Sequence, residues 1–180
     1  MKKNYVVAGV LIASLGLVQC TKETPEPDPV PSKTVTAITD QELLDMAKTA
    51  NGYTYYKNSS DVTESSPASG HNDFFRVRFN SIALAALTDN GKLPEGGTFP
   101  EGSVIVKELH KLQDGTEQTG LAVMIKRKGD PNASEKDWVW GEYFGGTTTN
   151  AISVSTKGAQ CLGCHSSSKR DMVRLFELFP

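Results

Sequence analysis

Near the end of this 180-residue chain, "GAQCLGCHSSSKRD" (residues 158–171) contains a C-x-x-C-H run, and three chemistries use such a run. In c-type attachment, Cys161 and Cys164 each add a thiol to one haem vinyl group, and His165 falls beneath the ring where its imidazole can bind iron. A redox dithiol uses the same cysteine spacing at the start of a helix in a thioredoxin-like βαβ unit. A structural zinc would take both thiolates and two of His71, His110 and His165.

The remaining cysteine bears on the choice. Residues 1–19, "MKKNYVVAGVLIASLGLVQ", have two lysines and a short apolar run before Cys20, the layout of a secretory signal. A cysteine at the cleavage point resembles a bacterial lipoprotein signal, with Val18 and Gln19 where such signals usually carry small residues. Cys20 is then the lipidation site, and residues 20–38, with "TKETPEPDPVPSKT", form a proline-rich linker that cannot bury a core. Loss of Lys2 and Lys3 takes the formal charge from −2 to about −4, which excludes a basic nucleic-acid footprint. Export also delivers Cys161 and Cys164 to the oxidising compartment where haem attachment occurs in bacteria. With Cys20 on the lipid, these two are the only other cysteines, and no βαβ pattern precedes them. Zinc lacks the usual paired spacing in its second half. Haem c, one per chain, is the leading expectation.

Residues 39–180 must position that group, and they are the size of one domain. "TDQELLDMAKTANG" has Thr39 and Glu42 at capping-box spacing and predicts a short amphipathic helix ending near Gly52. The polar "NSSDVTESSPASG" (58–70) reads as a loop. "FFRVRFN" alternates Phe75, Val77 and Phe79 against Arg76 and Arg78, as a half-buried strand does, and Asn80 can cap the helix "SIALAALTDNG". "SVIVKELHKL" and "TGLAVMIKRKG" predict a hairpin around "QDG". "DWVWGEYFGG" is a further strand with Trp138, Trp140 and Phe144 on one face, and "DMVRLFELF" a terminal helix. The fold class expected is α+β: mainly antiparallel sheet, with short helices at both ends.

The C-terminal haem motif followed by "KRDMVRLF" resembles the cytochrome P460 family. "HNDFFRVRFNSIALAAL", "FPEGSVIVKE", "LAVMIKRKG" and "DWVWGEYF" resemble its successive elements in order, from about Asp40 to Phe179. The resemblance implies a largely antiparallel β fold, a single c-type haem and often a homodimer. Members oxidise hydroxylamine or bind small ligands such as nitric oxide at an open distal position, and enzymatic members carry a lysine linked to the haem edge.

An electron-transfer cytochrome would use methionine or histidine as the sixth ligand, and the candidates are Met46, Met124, Met172, His71 and His110. Met124 and Met172 read as core, His71 and His110 as surface or locally bonded, which favours an open iron. For a lysine link, Lys107 in "SVIVKE" comes first, then Lys126 and Lys92, with a solvated strand or turn as the alternative for each. Hydroxylamine oxidation needs a base. The family resemblance places a glutamate just upstream of the haem motif, but "SVSTKGAQ" (153–160) has no acid, which counts against an efficient oxidase. Glu142 could reach the pocket as such a base, but it falls in register with Trp138, Trp140 and Phe144, an awkward setting for a polar role. Arg76 and Arg78 could pair with haem propionates or face solvent.

These readings combine into a lipid-anchored mono-haem c-type cytochrome in the bacterial cell envelope, facing the periplasm or outside. It would bind or oxidise nitric oxide or hydroxylamine at an open iron, with a redox partner protein and no nucleic acid. A six-coordinate electron carrier is the alternative, and a zinc or thiol protein without haem the third reading.

Overall fold

In the computed structural model, which describes residues 34–71 and 73–180, strict alternation along the strands gives a sheet with two differently used faces. The lipidation site Cys20, the signal segment and most of the proline-rich linker lie outside the described residues. Among the described residues there are seven strands: β1 (Thr54–Tyr55), β2 (Thr63–Glu64), β3 (Phe74–Phe79), β4 (Val104–His110), β5 (Gln118–Lys126), β6 (Trp138–Phe144) and β7 (Ala151–Ile152). They form one sheet in the order β1-β3-β4-β5-β6-β7, with β2 also pairing β3, and every pairing is antiparallel. The four long strands fall on the four segments that the sequence reads as strands. β2 falls inside the segment read as a plain polar loop.

One face carries Val104, Val106, Leu121, Val123, Val139 and Tyr143 and is covered by α1 (Asp40–Lys48), which buries Leu43, Leu44 and Ala47 against it. The Thr39–Glu42 capping box starts this helix as expected. Asp40 adds a cross-tie: it accepts hydrogen bonds from the Tyr143 hydroxyl, the Ser153 hydroxyl and the Val154 N–H. The helix thereby anchors the segment leading into the C-x-x-C-H run.

The opposite face carries Phe75, Val77, Phe79, Ile105, Met124 and Trp140. It is roofed by α2 (Ser81–Ala85) and by the C-terminal segment with α3 (Ala159–His165) and α4 (Leu175–Leu178). Asn80 caps α2 by accepting the Ala83 N–H, and it also clamps Val104 N–H and the Gly102 carbonyl. α2 and α4 are shorter than the sequence pattern predicts, and each buries a single residue, Ala83 and Phe176. α3, which contains the haem motif, is a helix that the pattern does not show. Among the described residues no helix is long and apolar enough to cross a membrane.

Candidate functional site

The site is built on the second face, in the gap between the sheet and the C-terminal segment. Glycine at 158 is required to start α3. Its φ is +70°, and a Cβ there would lie 2.5 Å from Trp140 Cδ1, so a side chain is opposed both by backbone strain and by the indole. This close approach seats α3 on Trp140 and aims Cys161, Cys164 and His165 into one cavity. The cavity encloses about 200 Å³, and with its open mouth the atom-free space is about 1090 Å³.

His165 is held from two sides. Its ring packs edge-on against Trp140, centroids 4.9 Å apart, and Nδ1 lies 2.6 Å from the Met172 carbonyl oxygen. Only an N–H can donate to that carbonyl, so the proton sits on Nδ1 and the Nε2 lone pair is left for a metal. Burial pushes the imidazole down to about 4, partly offset by the Met172 bond and reinforced by His71, Lys107 and Arg174. The ring is neutral at physiological pH, as a ligand must be.

Both thiols are free. Burial pushes the Cys161 thiol up to about 11, with nearby Glu142 adding to the rise. A redox dithiol needs the opposite, a lowered thiol on a βαβ scaffold, and the described sheet is antiparallel throughout. The zinc alternative loses one of its three histidines and finds no preassembled ligand group. His110 belongs to the other face, where it lies beside Glu108, and no group of three or more His, Cys, Asp or Glu among the described residues is set to hold a metal ion.

One cross-strand row crosses the cavity floor: Val77, Lys107, Ala122, Glu142 and Ile152 stand side by side on β3 to β7. The small Ala122 leaves open the space between the Lys107 and Glu142 side chains, two strands apart. Lys107 lies over the Phe75 ring, Nζ 4.2 Å from its centroid, and burial lowers its amine to about 8 against the pull of Glu142. Lys107 borders the cavity with Cys161 and His165. Lys126 does not: it forms a buried ion pair with Asp171 at 2.8 Å. Lys92 sits in a turn bridged to Asp89.

Glu142 is the residue whose role the sequence reading undervalued. It is buried in the cavity wall with its carboxylate 3.4 Å from His71 Nδ1. The alternation that puts Trp138 and Trp140 inward puts Glu142 inward too, and the signal was there to be followed. His71 likewise is no surface histidine; it borders the cavity with its ring 6.4 Å from that of His165, centroid to centroid. Arg76 and Arg78 are committed elsewhere, since both pair with Glu108 on the α1 face. Of the candidate sixth ligands, Met46 packs on the α1 face. Met172 is buried and reaches His165 through its carbonyl, whereas Met124 and His71 border the cavity.

A model of the family Cytochrome P460 matches residues 52–174. The chain belongs to the cytochrome P460 family. No curated protein matches it. Membership implies a haem, and the antiparallel sheet with short helices is the fold expected of a P460 protein. The donor set fits the group. Two thiols and a neutral imidazole with a free Nε2 face one cavity, its walls include Phe75, Val77, Ile105, Leu175 and Phe179, and Lys107 and Arg174 stand at it as cations.

Proposed function

We propose that this P460 protein is an exported, lipid-anchored cytochrome with one haem c on Cys161 and Cys164 and His165 as proximal ligand. It binds or oxidises small nitrogen compounds, nitric oxide or hydroxylamine, at the iron face across from His165. Haem in this cavity supplies a redox-active iron to which such a nitrogen atom binds.

The observation that carries the reading is the buried carboxylate of Glu142 in the same cavity as Cys161, Cys164 and His165. Oxidation of a bound hydroxylamine releases protons, and Glu142 is placed to accept one, in the position of a general base. His71 and Lys107 flank it. Lys107, with its lowered amine, is the residue for a lysine bond to the haem edge. Electrons leave to a redox partner protein, and Cys20 with the linker behind it holds the domain at the membrane surface on the outer side.

The test is an absorption spectrum of the soluble domain from Thr21 onward, expressed with c-type maturation machinery and recorded oxidised, reduced and reduced under carbon monoxide. A haem c spectrum that responds to carbon monoxide, with hydroxylamine turnover cut about 10²- to 10⁴-fold in Glu142→Gln, supports the proposal. Absence of a Soret band sinks it. The electron-carrier alternative is favoured by one observation, that Met124 and His71 border the cavity, and a ferrous protein inert to carbon monoxide would establish it.

A further inference from the structure

From the placement of two imidazoles, we infer that His71 occupies the sixth position of the haem iron at rest and that a nitrogen ligand enters by displacing it. The inference rests on the haem reading above and revises its distal face from open to gated.

The first argument is distance. Two histidines on opposite sides of one metal, each about 2 Å from it and each about 1 Å from ligating nitrogen to ring centre, have centroids about 6 Å apart. The His71 and His165 centroids are 6.4 Å apart. The second argument is protonation. Metal-binding histidines commonly donate their other ring N–H to a carbonyl or a carboxylate, and here one ring has each kind of acceptor. His165 Nδ1 is on the Met172 carbonyl and His71 Nδ1 faces Glu142 Oε1 at 3.4 Å, so Nε2 is the nitrogen each ring has left for a metal. The third is the support beneath each ligand. His165 is fixed by α3 and Trp140, whereas His71 comes from the connection between β2 and β3, directly after Gly70 with its φ of +67°. A loop-borne ligand can leave without disturbing the sheet. Met124, the other cavity candidate, stands on a central strand beside Trp140, which packs on His165, so it belongs to the proximal side.

Displacement is a substitution: the iron–Nε2 bond breaks first, the iron–ligand bond then forms, and no electron moves. It also gives Glu142 two successive tasks. While His71 is bound, the carboxylate orients it. Once His71 has left, the same oxygen is free to take a proton from the incoming substrate.

The experiment compares the haem-loaded wild type with His71→Ala and His71→Met by absorption, electron paramagnetic resonance and carbon monoxide binding kinetics. The expected wild type is low-spin in both oxidation states. Its ferric resonance should show the large anisotropy of near-perpendicular axial imidazoles, since the two rings stand at 79°. Carbon monoxide should bind wild-type ferrous protein at a rate that levels off with concentration, set by His71 leaving. In His71→Ala the iron becomes high-spin and binding turns linear in concentration, at least tenfold faster; His71→Met stays low-spin with a thioether–iron charge-transfer band. A haem-bearing wild type that is high-spin, or a His71→Ala variant that keeps the wild-type spectrum, overturns the inference and leaves the proposed function standing. Wild type and His71→Ala both inert to carbon monoxide would overturn the two together. The wild-type resonance decides the matter even if a variant does not fold.

Discussion

Asp171 is the strongest test of how the C-x-x-C-H segment is fastened to the sheet. Its buried carboxylate takes two contacts from Lys126 Nζ, at 2.8 and 3.1 Å, and accepts the Phe99 N–H, while its main-chain carbonyl accepts Trp138 Nε1. Asp171→Asn keeps the shape, the acceptor for Phe99 and a residue tolerant of the local φ of +51°. It removes only the charge and leaves the ammonium of Lys126, a residue 8% exposed, without its counterion. Breaking a buried pair in this way costs about 3–5 kcal/mol, and at about 2–4 °C per kcal/mol the midpoint should fall by roughly 10 °C. Adding Lys126→Met removes the stranded charge, and a hydrophobic replacement of both partners is often close to neutral, so the double variant should recover most of the loss. Urea and thermal unfolding, followed by tryptophan fluorescence and circular dichroism in the same haem state for all chains, give both numbers. A loss under about 1 kcal/mol for Asp171→Asn, or no recovery in the double variant, would refute the assignment of this pair as the fastening.

Gly158→Ala should cost about 2 kcal/mol or more, since an L-residue in the left-handed region costs about 1–2 kcal/mol and the new methyl must also push Trp140 aside. Gly158→Asn relieves only the backbone part; equal urea midpoints for wild type and Gly158→Ala would contradict the packing described. Lys107 gives a pH signature in the haem-free Cys161→Ala/Cys164→Ala chain. The folded amine releases its proton near 8 and the unfolded one at about 10.5, so between these values the unfolded state holds more protons and stability rises with pH. Lys107→Met lacks that rise, and should be the more stable chain at pH 7 by up to about 3 kcal/mol, the gap closing by about pH 11. Parallel urea midpoints across that range would show that Lys107 is solvated. In the haem-loaded protein, an unchanged haem-peptide mass in Lys107→Ala would remove it as the cross-linking residue.

The strands that carry the cavity were legible from alternation or from composition. "FFRVRF" declares a face by alternation, while "SVIVKELH" and "DWVWGEYF" are β-branched and aromatic runs buried nearly throughout, as strands covered on both faces are. β1, β2 and β7 were not legible, because two residues cannot express a period. α3 was hidden for a related reason: its seven residues include Gly163 and bury none fully, so no apolar stripe marks it. Its position depends on the Gly158–Trp140 approach, a contact between residues 18 apart, which no local pattern encodes. His71 was illegible on its own, since a lone histidine beside a polar loop looks the same whether it meets solvent or another imidazole.

Glu142 shows where a polar residue in an apolar register has to be read as chemistry. On the far face Arg76, Arg78 and Glu108 neutralise one another, and at the end of β5 Lys126 is neutralised by Asp171. Along the cavity row the sheet admits two ionisable groups, Lys107 and Glu142, on either side of Ala122. A slip of one residue in β4 would exchange Lys107 for Glu108, and a slip in β6 would exchange Glu142 for Gly141 or Tyr143, so the site depends on register. Three neighbours shared with the core enforce that register: Trp140 beneath His165, Phe75 beneath Lys107, and Tyr143 on Asp40 from the other side. The hydrophobic pairing that specifies the fold thus also delivers one carboxylate and one amine to the cavity that faces the C-x-x-C-H helix.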